Sequence, residues 1–189
     1  MHKIPIGVSA RHIHLSPEHI ELLFGKGYEL NVLKQLSQPG QFAAEETVAV
    51  VGPKGRFDKV RILGPARGIT QLEISRTDTF ALGIDAPVRL SGQIEGTPGV
   101  TIVGPKGKVA VDKGVIVAAR HIHLHPDDAA RMNVADGQVV SVRTEGERAV
   151  TFANVVCRVS DSFRLDMHID TDEANAAGIK NGDFGILIV

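Results

Sequence analysis

The sequence predicts a mainly β fold, two small β-barrels related by internal duplication and capped by short helices. Three observations predict it. Val8-Ser-Ala-Arg-His-Ile-His-Leu-Ser-Pro-Glu18 returns as Val117-Ala-Ala-Arg-His-Ile-His-Leu-His-Pro-Asp127, identical at eight of eleven positions at an offset of 109 residues, which marks a duplicated unit. Val- and Ile-rich runs are punctuated by turn residues, with 20 Gly and 9 Pro in 189 residues, as expected of many short strands. A short helix, a tight turn and a strand recur at 79–90, 130–142 and 173–184, with Gly83-Ile84, Asp136-Gly137 and Gly178-Ile179 as landmarks.

Taken in order, residues 12–15 read as a strand end, followed by Ser16-Pro17, a cap signal for a helix over 17–23. Thr47-Val-Ala-Val-Val51 and Val100-Thr-Ile-Val103 are each followed by Gly-Pro-Lys-Gly, at 52–55 and 104–107, and then by a second β-rich run, at 57–63 and 109–117. Both are hairpins, and turn chemistry accounts for the tetrads. Their spacing is wrong for a P-loop, although Lys54 or Lys106 could contact an anion. Thr70-Gln-Leu-Glu-Ile74, Val155-Val-Cys-Arg-Val159 and Leu165-Asp-Met-His-Ile169 read as strands, and 126–132 and 171–177 as helices. His125 precedes Pro126 and stands where Ser16 stands in the first repeat, so it reads as a helix cap rather than a ligand.

Composition excludes several functions. Net charge is −1, from 21 basic and 22 acidic residues, which disfavours a nucleic-acid coat or a polybasic membrane surface. No run approaches the roughly 18 apolar residues of a membrane span. Cys157 is the only cysteine, so there is no intramolecular disulfide and no Cys-cluster zinc site. A lone thiol without an export signal leads us to expect a cytoplasmic protein. No Gly-x-Ser-x-Gly elbow or dinucleotide fingerprint is present.

Histidine carries the chemistry. His12 and His14 lie at i and i+2 on a strand, as do His121 and His123, and period-two geometry sends both members of a pair to one face. One such pair could be polar surface; two in register within a duplication point to metal ligands, and neutral imidazole suits zinc. Aligning Gly83 with Gly178 gives an offset of 95 and sets Glu73 opposite His168. Each half then offers three ligands: His12, His14 and Glu73, and His121, His123 and His168. Each set leaves an open position for water or substrate, as catalytic zinc does. Spacing alone leaves Glu73 open as a surface carboxylate, and His168, flanked by Asp166 and Asp170, open as a solvated histidine. Arg67 sits in the Gly- and Pro-bounded loop Gly64-Pro-Ala-Arg-Gly68, where a guanidinium beside a dication would make a phosphate pocket. Arg11 and Arg120, just before the His pairs, read either as buried-face residues or as residues supporting the ligands. His2 and His19 have no counterpart in the repeat.

The duplicated Ala-Arg-His-Ile-His-Leu, the Gly64-Pro-Ala-Arg-Gly-Ile-Thr-Gln-Leu-Glu73 segment and the Asp166-Met-His-Ile-Asp-Thr-Asp-Glu-Ala-Asn175 segment resemble the phosphotransacylases of the propanediol-utilisation type, across essentially the whole chain. The resemblance implies two barrels, the first strand completing the barrel of the C-terminal half. The units would be 1–10 plus 119–189, and 11–118. It implies transfer of a short acyl group, propanoyl or acetyl, between coenzyme A and phosphate at a di-zinc centre, two zinc ions per chain. It further implies Arg67 as the phosphate-binding arginine, and Gln41, Gln71 and Asn175 around the substrate pocket. The implied partners are acyl-CoA, CoA, phosphate and acyl phosphate, without nucleic acid or membrane, and a homodimer is the working expectation for assembly. Microcompartment members of that family carry an N-terminal targeting extension that this sequence lacks, which favours the cytoplasm unless such an extension has been trimmed away. The rival readings are a zinc hydrolase acting on an ester or thioester, and a binding module with structural metal.

Overall fold

A computed structural model describes residues 2–189. In chain order the elements are β1 (Lys3–Ser9), β2 (His12–His14), α1 (Pro17–Phe24), β3 (Val32–Gln35), β4 (Phe42–Val51), β5 (Arg56–Gly64), β6 (Gln71–Ile74), α2 (Arg76–Leu82) and β7 (Val88–Arg89). They continue with β8 (Val100–Val103), β9 (Lys108–Val111), β10 (Val115–Ala118), β11 (His121–Leu124), α3 (Pro126–Met132), β12 (Val139–Arg143), β13 (Thr151–Val159), β14 (Asp166–Asp170), α4 (Thr171–Ala177) and β15 (Phe184–Ile188). The chain is therefore mainly β, as its turn-rich sequence leads one to expect.

Two compact units form. One comprises the N-terminal residues through Ser9, Ser37–Pro39 and Ala119–Val189; the other comprises Ala10–Leu36 and Gly40–Ala118. In the first, strands close into a barrel in the order β1-β14-β11-β13-β12-β15. Its core includes Ile4, Ile6, Ile122, Leu124, Val142, Val155, Cys157 and Met167. In the second, the sheet runs β7-β10-β6-β2-β5-β4-β8-β9, with β3 paired to β4, around Ile13, Leu15, Leu23, Val50, Val60, Ile62, Leu72, Leu82 and Ile102. This sheet curls as a half-barrel without closing. The reason is local. In the first unit β15 bonds both β1 and β12 and completes the circuit. In the second, β7 is only two residues long, follows Pro87, and bonds β10 alone; proline has no N–H to extend the ladder.

The helices are set by their caps. Ser16 accepts the His19 amide at the start of α1, with Pro17 in the first turn. Ser75 and Asp78 form a reciprocal capping box on α2, and Asp170 and Glu173 another on α4. His125 caps α3 by accepting the Asp127 amide. Gly83 (φ 72°) and Gly178 (φ 67°) end α2 and α4 in the left-handed conformation that glycine adopts without a Cβ penalty. The two Gly-Pro-Lys-Gly segments are hairpin turns. Their lysine amides also bond carbonyls in the last helical turn, Lys54 to Leu82 and Lys106 to Leu23, each at 3.0 Å, so turn chemistry and helix capping together explain them. Among the described residues no helix is long and apolar enough to cross a membrane.

Candidate metal centres

Both His pairs lie on short strands whose intervening isoleucine is fully buried, Ile13 in β2 and Ile122 in β11. The alternation that sends these isoleucines into the cores sends both imidazoles of each pair to the opposite face. The third candidate ligand comes from the antiparallel neighbour. In the second unit β6 runs beside β2 with His12 across from Glu73 and His14 across from Gln71. In the first, β14 runs beside β11 with His121 across from His168 and His123 across from Asp166. The two halves thus assemble equivalent triads, His12, His14 and Glu73, and His121, His123 and His168. In each, one nitrogen or oxygen per residue lies within 4.8 Å of the others.

The donor chemistry fits a zinc ion. Zinc with bonds of about 2.0–2.2 Å needs ligand atoms roughly 3.3–3.5 Å apart, and His12 Nε2 lies 3.5 Å from Glu73 Oε2. His14 Nε2 is 3.9 Å from Glu73 Oε1. His12 Nδ1 sits 2.9 Å from the Ala10 carbonyl, and His121 Nδ1 sits 2.8 Å from the Ala119 carbonyl. A ring that donates from Nδ1 presents an Nε2 lone pair. His14 is pushed down to about 3, chiefly by burial, with His12 and Arg67 adding and Glu73 and the Leu63 carbonyl opposing. It is therefore neutral, and a competent ligand, throughout the physiological range.

Beside the first triad lies a polar network. The Arg67 amide bonds the Leu15 carbonyl. Its guanidinium donates to Ser91 Oγ at 3.2 Å and Gln41 Oε1 at 3.4 Å. Gln71 Nε2 donates to Glu73 Oε1 at 2.7 Å and to Ser91 Oγ at 2.8 Å, and its Oε1 accepts the Gly92 amide at 2.7 Å. Arg67, Gln41 and Gln71 thus belong to one network that reaches Glu73 through Gln71. Asn175 lies exposed on α4 in the other unit and takes no part in this network.

The family described as phosphate propanoyltransferase matches residues 5–180. The chain belongs to that family. It is 55% identical over 98% of its length to a phosphate propanoyltransferase of Thermotoga maritima, covering 89% of that relative. It is 56% identical to one of Priestia megaterium, over 97% of this chain and 85% of the relative. It is 55% identical to one of Salmonella typhimurium, over 94% and 85%.

Within this phosphate propanoyltransferase family member, Ser91 and the role of Asp166 escape a motif-based reading. Ser91 joins Arg67 to Gln71 from a loop that carries no motif of its own. Asp166 bonds His168, with its Oδ2 3.1 Å from Nε2 and accepting Ser37 Oγ at 2.5 Å; the period-two rule that pairs the histidines could have flagged it. Arg11 and Arg120 serve the helix caps: Arg11 bonds Asp78 at 2.6 Å and lies 4.1 Å over the Phe57 ring. Arg120 bonds Glu173 at 2.7 Å. His19 fastens α1 to Thr70 through a 2.7 Å hydrogen bond. Cys157 is fully buried, and burial, with Asp136 nearby, pushes its thiol up to about 11, which removes it as a nucleophile at neutral pH.

Proposed function

We propose that the protein is a phosphate acyltransferase that interconverts a short-chain acyl-CoA, propanoyl or acetyl, and phosphate with acyl phosphate and CoA, using one zinc ion in each triad. The observation that carries this reading is the placement of Arg67 and its polar neighbours beside the His12, His14 and Glu73 triad in a member of the phosphate propanoyltransferase family. Arg67 presents a planar fork suited to two phosphate oxygens, and Gln41 and Ser91 fix its orientation. Gln71 holds Glu73 in place as a ligand. Asn175 is retained as a substrate contact. When bound, zinc supplies Lewis-acid polarisation of an oxygen of phosphate or of the thioester.

A phosphate oxygen attacks the thioester carbonyl carbon, the carbon–sulfur bond breaks, and CoA leaves as a thiolate that takes a proton from solvent. Donors fixed in advance stabilise the charge developing on the carbonyl oxygen. No side chain needs to act as nucleophile, consistent with the buried, protonated Cys157.

The test is a panel of acetyl-, propanoyl- and butanoyl-CoA assayed for thiol release with and without phosphate, with zinc measured on the same sample. CoA release that requires phosphate, with acyl phosphate trapped as the hydroxamate, is expected. Arg67→Lys keeps the charge but not the fork, and should lower kcat/KM for phosphate by about 10²-fold. CoA release independent of phosphate would make the protein a hydrolase, and an acyl-enzyme trapped from acyl-CoA alone would end the direct-attack mechanism.

A further inference from the structure

The third ligand of each triad has a partner two residues earlier on the same strand face: Gln71 before Glu73, and Asp166 before His168. The two partners are equivalent in register, since His14 pairs with Gln71 and His123 with Asp166. Each bonds its ligand, Gln71 Nε2 to Glu73 Oε1 at 2.7 Å, and His168 Nε2 to Asp166 Oδ2 at 3.1 Å. The residue types change together. A carboxylate ligand is given an amide donor, and an imidazole ligand is given a carboxylate acceptor. Each site therefore has one carboxylate, a member of the triad in one case and bonded to a member of it in the other.

From this pairing we infer that Asp166 is the positioning residue of the His121, His123 and His168 triad. It holds His168 protonated at Nε2, turns Nδ1 toward the metal, and supplies the negative charge that Glu73 supplies in the other triad. The inference rests on the proposed metal binding. His168 is then reversed relative to His12 and His121, whose Nδ1 atoms face backbone carbonyls. Two further observations support it. Asp166 is only 6% exposed and is itself held by the Ser37 hydroxyl at 2.5 Å, so it is a fixed acceptor. Gly7 lies across from His168 in the neighbouring strand β1. A Cβ there would sit 3.2 Å from both Asp166 Oδ2 and His168 Cδ2, so the glycine makes room for the imidazole–carboxylate pair. The repeat puts Ile116 at the corresponding place across from Glu73. A buried carboxylate behind a ligating imidazole fixes its tautomer and raises its basicity toward a dication.

The experiment compares wild type with Asp166→Asn, His168→Glu, and the double variant Asp166→Gln/His168→Glu, which rebuilds the Gln-x-Glu pattern of the other triad. Zinc affinity is measured by chelator competition, and ring protonation by long-range proton–nitrogen NMR of zinc-free protein. Asp166→Asn should weaken one of the two zinc sites by about 10- to 100-fold and leave the other unchanged, and wild-type His168 should carry its proton on Nε2. His168→Glu alone sets two carboxylates side by side and should bind zinc more weakly than the double variant. Unchanged zinc affinity in Asp166→Asn, a proton on Nδ1 of wild-type His168, or a double variant no better than His168→Glu each overturns the inference. Should Asp166→Asn be insoluble, the last comparison decides. Wild type that binds no zinc overturns the proposed metal chemistry instead, and the NMR readout then still judges the role of Asp166.

Discussion

His14 shows how far surroundings can move a residue from its ordinary chemistry. It is 2% exposed, close to His12 and to the Arg67 charge, and its pKa is pushed down to about 3 against an ordinary 6.5. In the unfolded chain the same imidazole takes up a proton near pH 6.5. Between those values the unfolded state binds more protons than the folded one, so stability falls as pH drops from about 6.5 toward 3. The expected outcome is a lower urea midpoint for zinc-stripped protein at pH 5 than at pH 7.5. His14→Gln, which cannot take the proton, should flatten that dependence; an equally steep fall in the variant would place its origin elsewhere. At neutral pH the same shift means that His14 releases no proton when a metal binds.

At the scale of elements, the strand carrying each third candidate ligand runs directly into a capped helix, and an arginine just before each His pair reaches that cap. Arg11 bonds Asp78, which closes the capping box of α2 after β6; Arg120 bonds Glu173, which closes that of α4 after β14. The cap therefore fixes where the strands that carry Glu73 and His168 end. Asp78 is buried while Arg11 is partly exposed, and the guanidinium stacks on Phe57. Arg11→Ala should thus cost about 1–2 kcal/mol in urea unfolding, and Ser75→Ala about 1 kcal/mol. Arg76→Ala, which removes the exposed pair with Asp85, should stay within about 0.5 kcal/mol. Equal losses in Arg11→Ala and Arg76→Ala would sink the cap argument. These pairings were only partly legible in the sequence. The His-x-His strands and the Gly-Ile helix ends have local periodicity, so they can be read directly. Arg11 and Asp78 are 67 positions apart, and Ser91 and Arg67 meet through loops, so nothing local signals either contact.

At the scale of the whole chain, the two copies of the repeat exchange a strand. β1 precedes the His12 pair but bonds β14 and β15 in the first unit; β10 precedes the His121 pair but bonds β6 and β7 in the second. The repeat reveals the duplication but not this exchange, because an extended run with alternating isoleucines can pair with either sheet. The consequence can be tested by deleting residues 1–9. β1 contributes Ile4 and Ile6, both essentially fully buried, each worth about 1.5–3 kcal/mol. It is also the strand that closes the barrel between β14 and β15. Its loss leaves two open edges and removes a large part of the roughly 5–15 kcal/mol that stabilises a domain. The second unit has its own core and keeps all of its strands. Limited proteolysis of the truncated protein should therefore digest 119–189 and spare 10–118, and bound zinc should fall from two equivalents to one, matching the triad that remains. Equal protection of both segments would mean that the barrel closes without β1, and that the exchanged strand is not what holds the His121, His123 and His168 triad together.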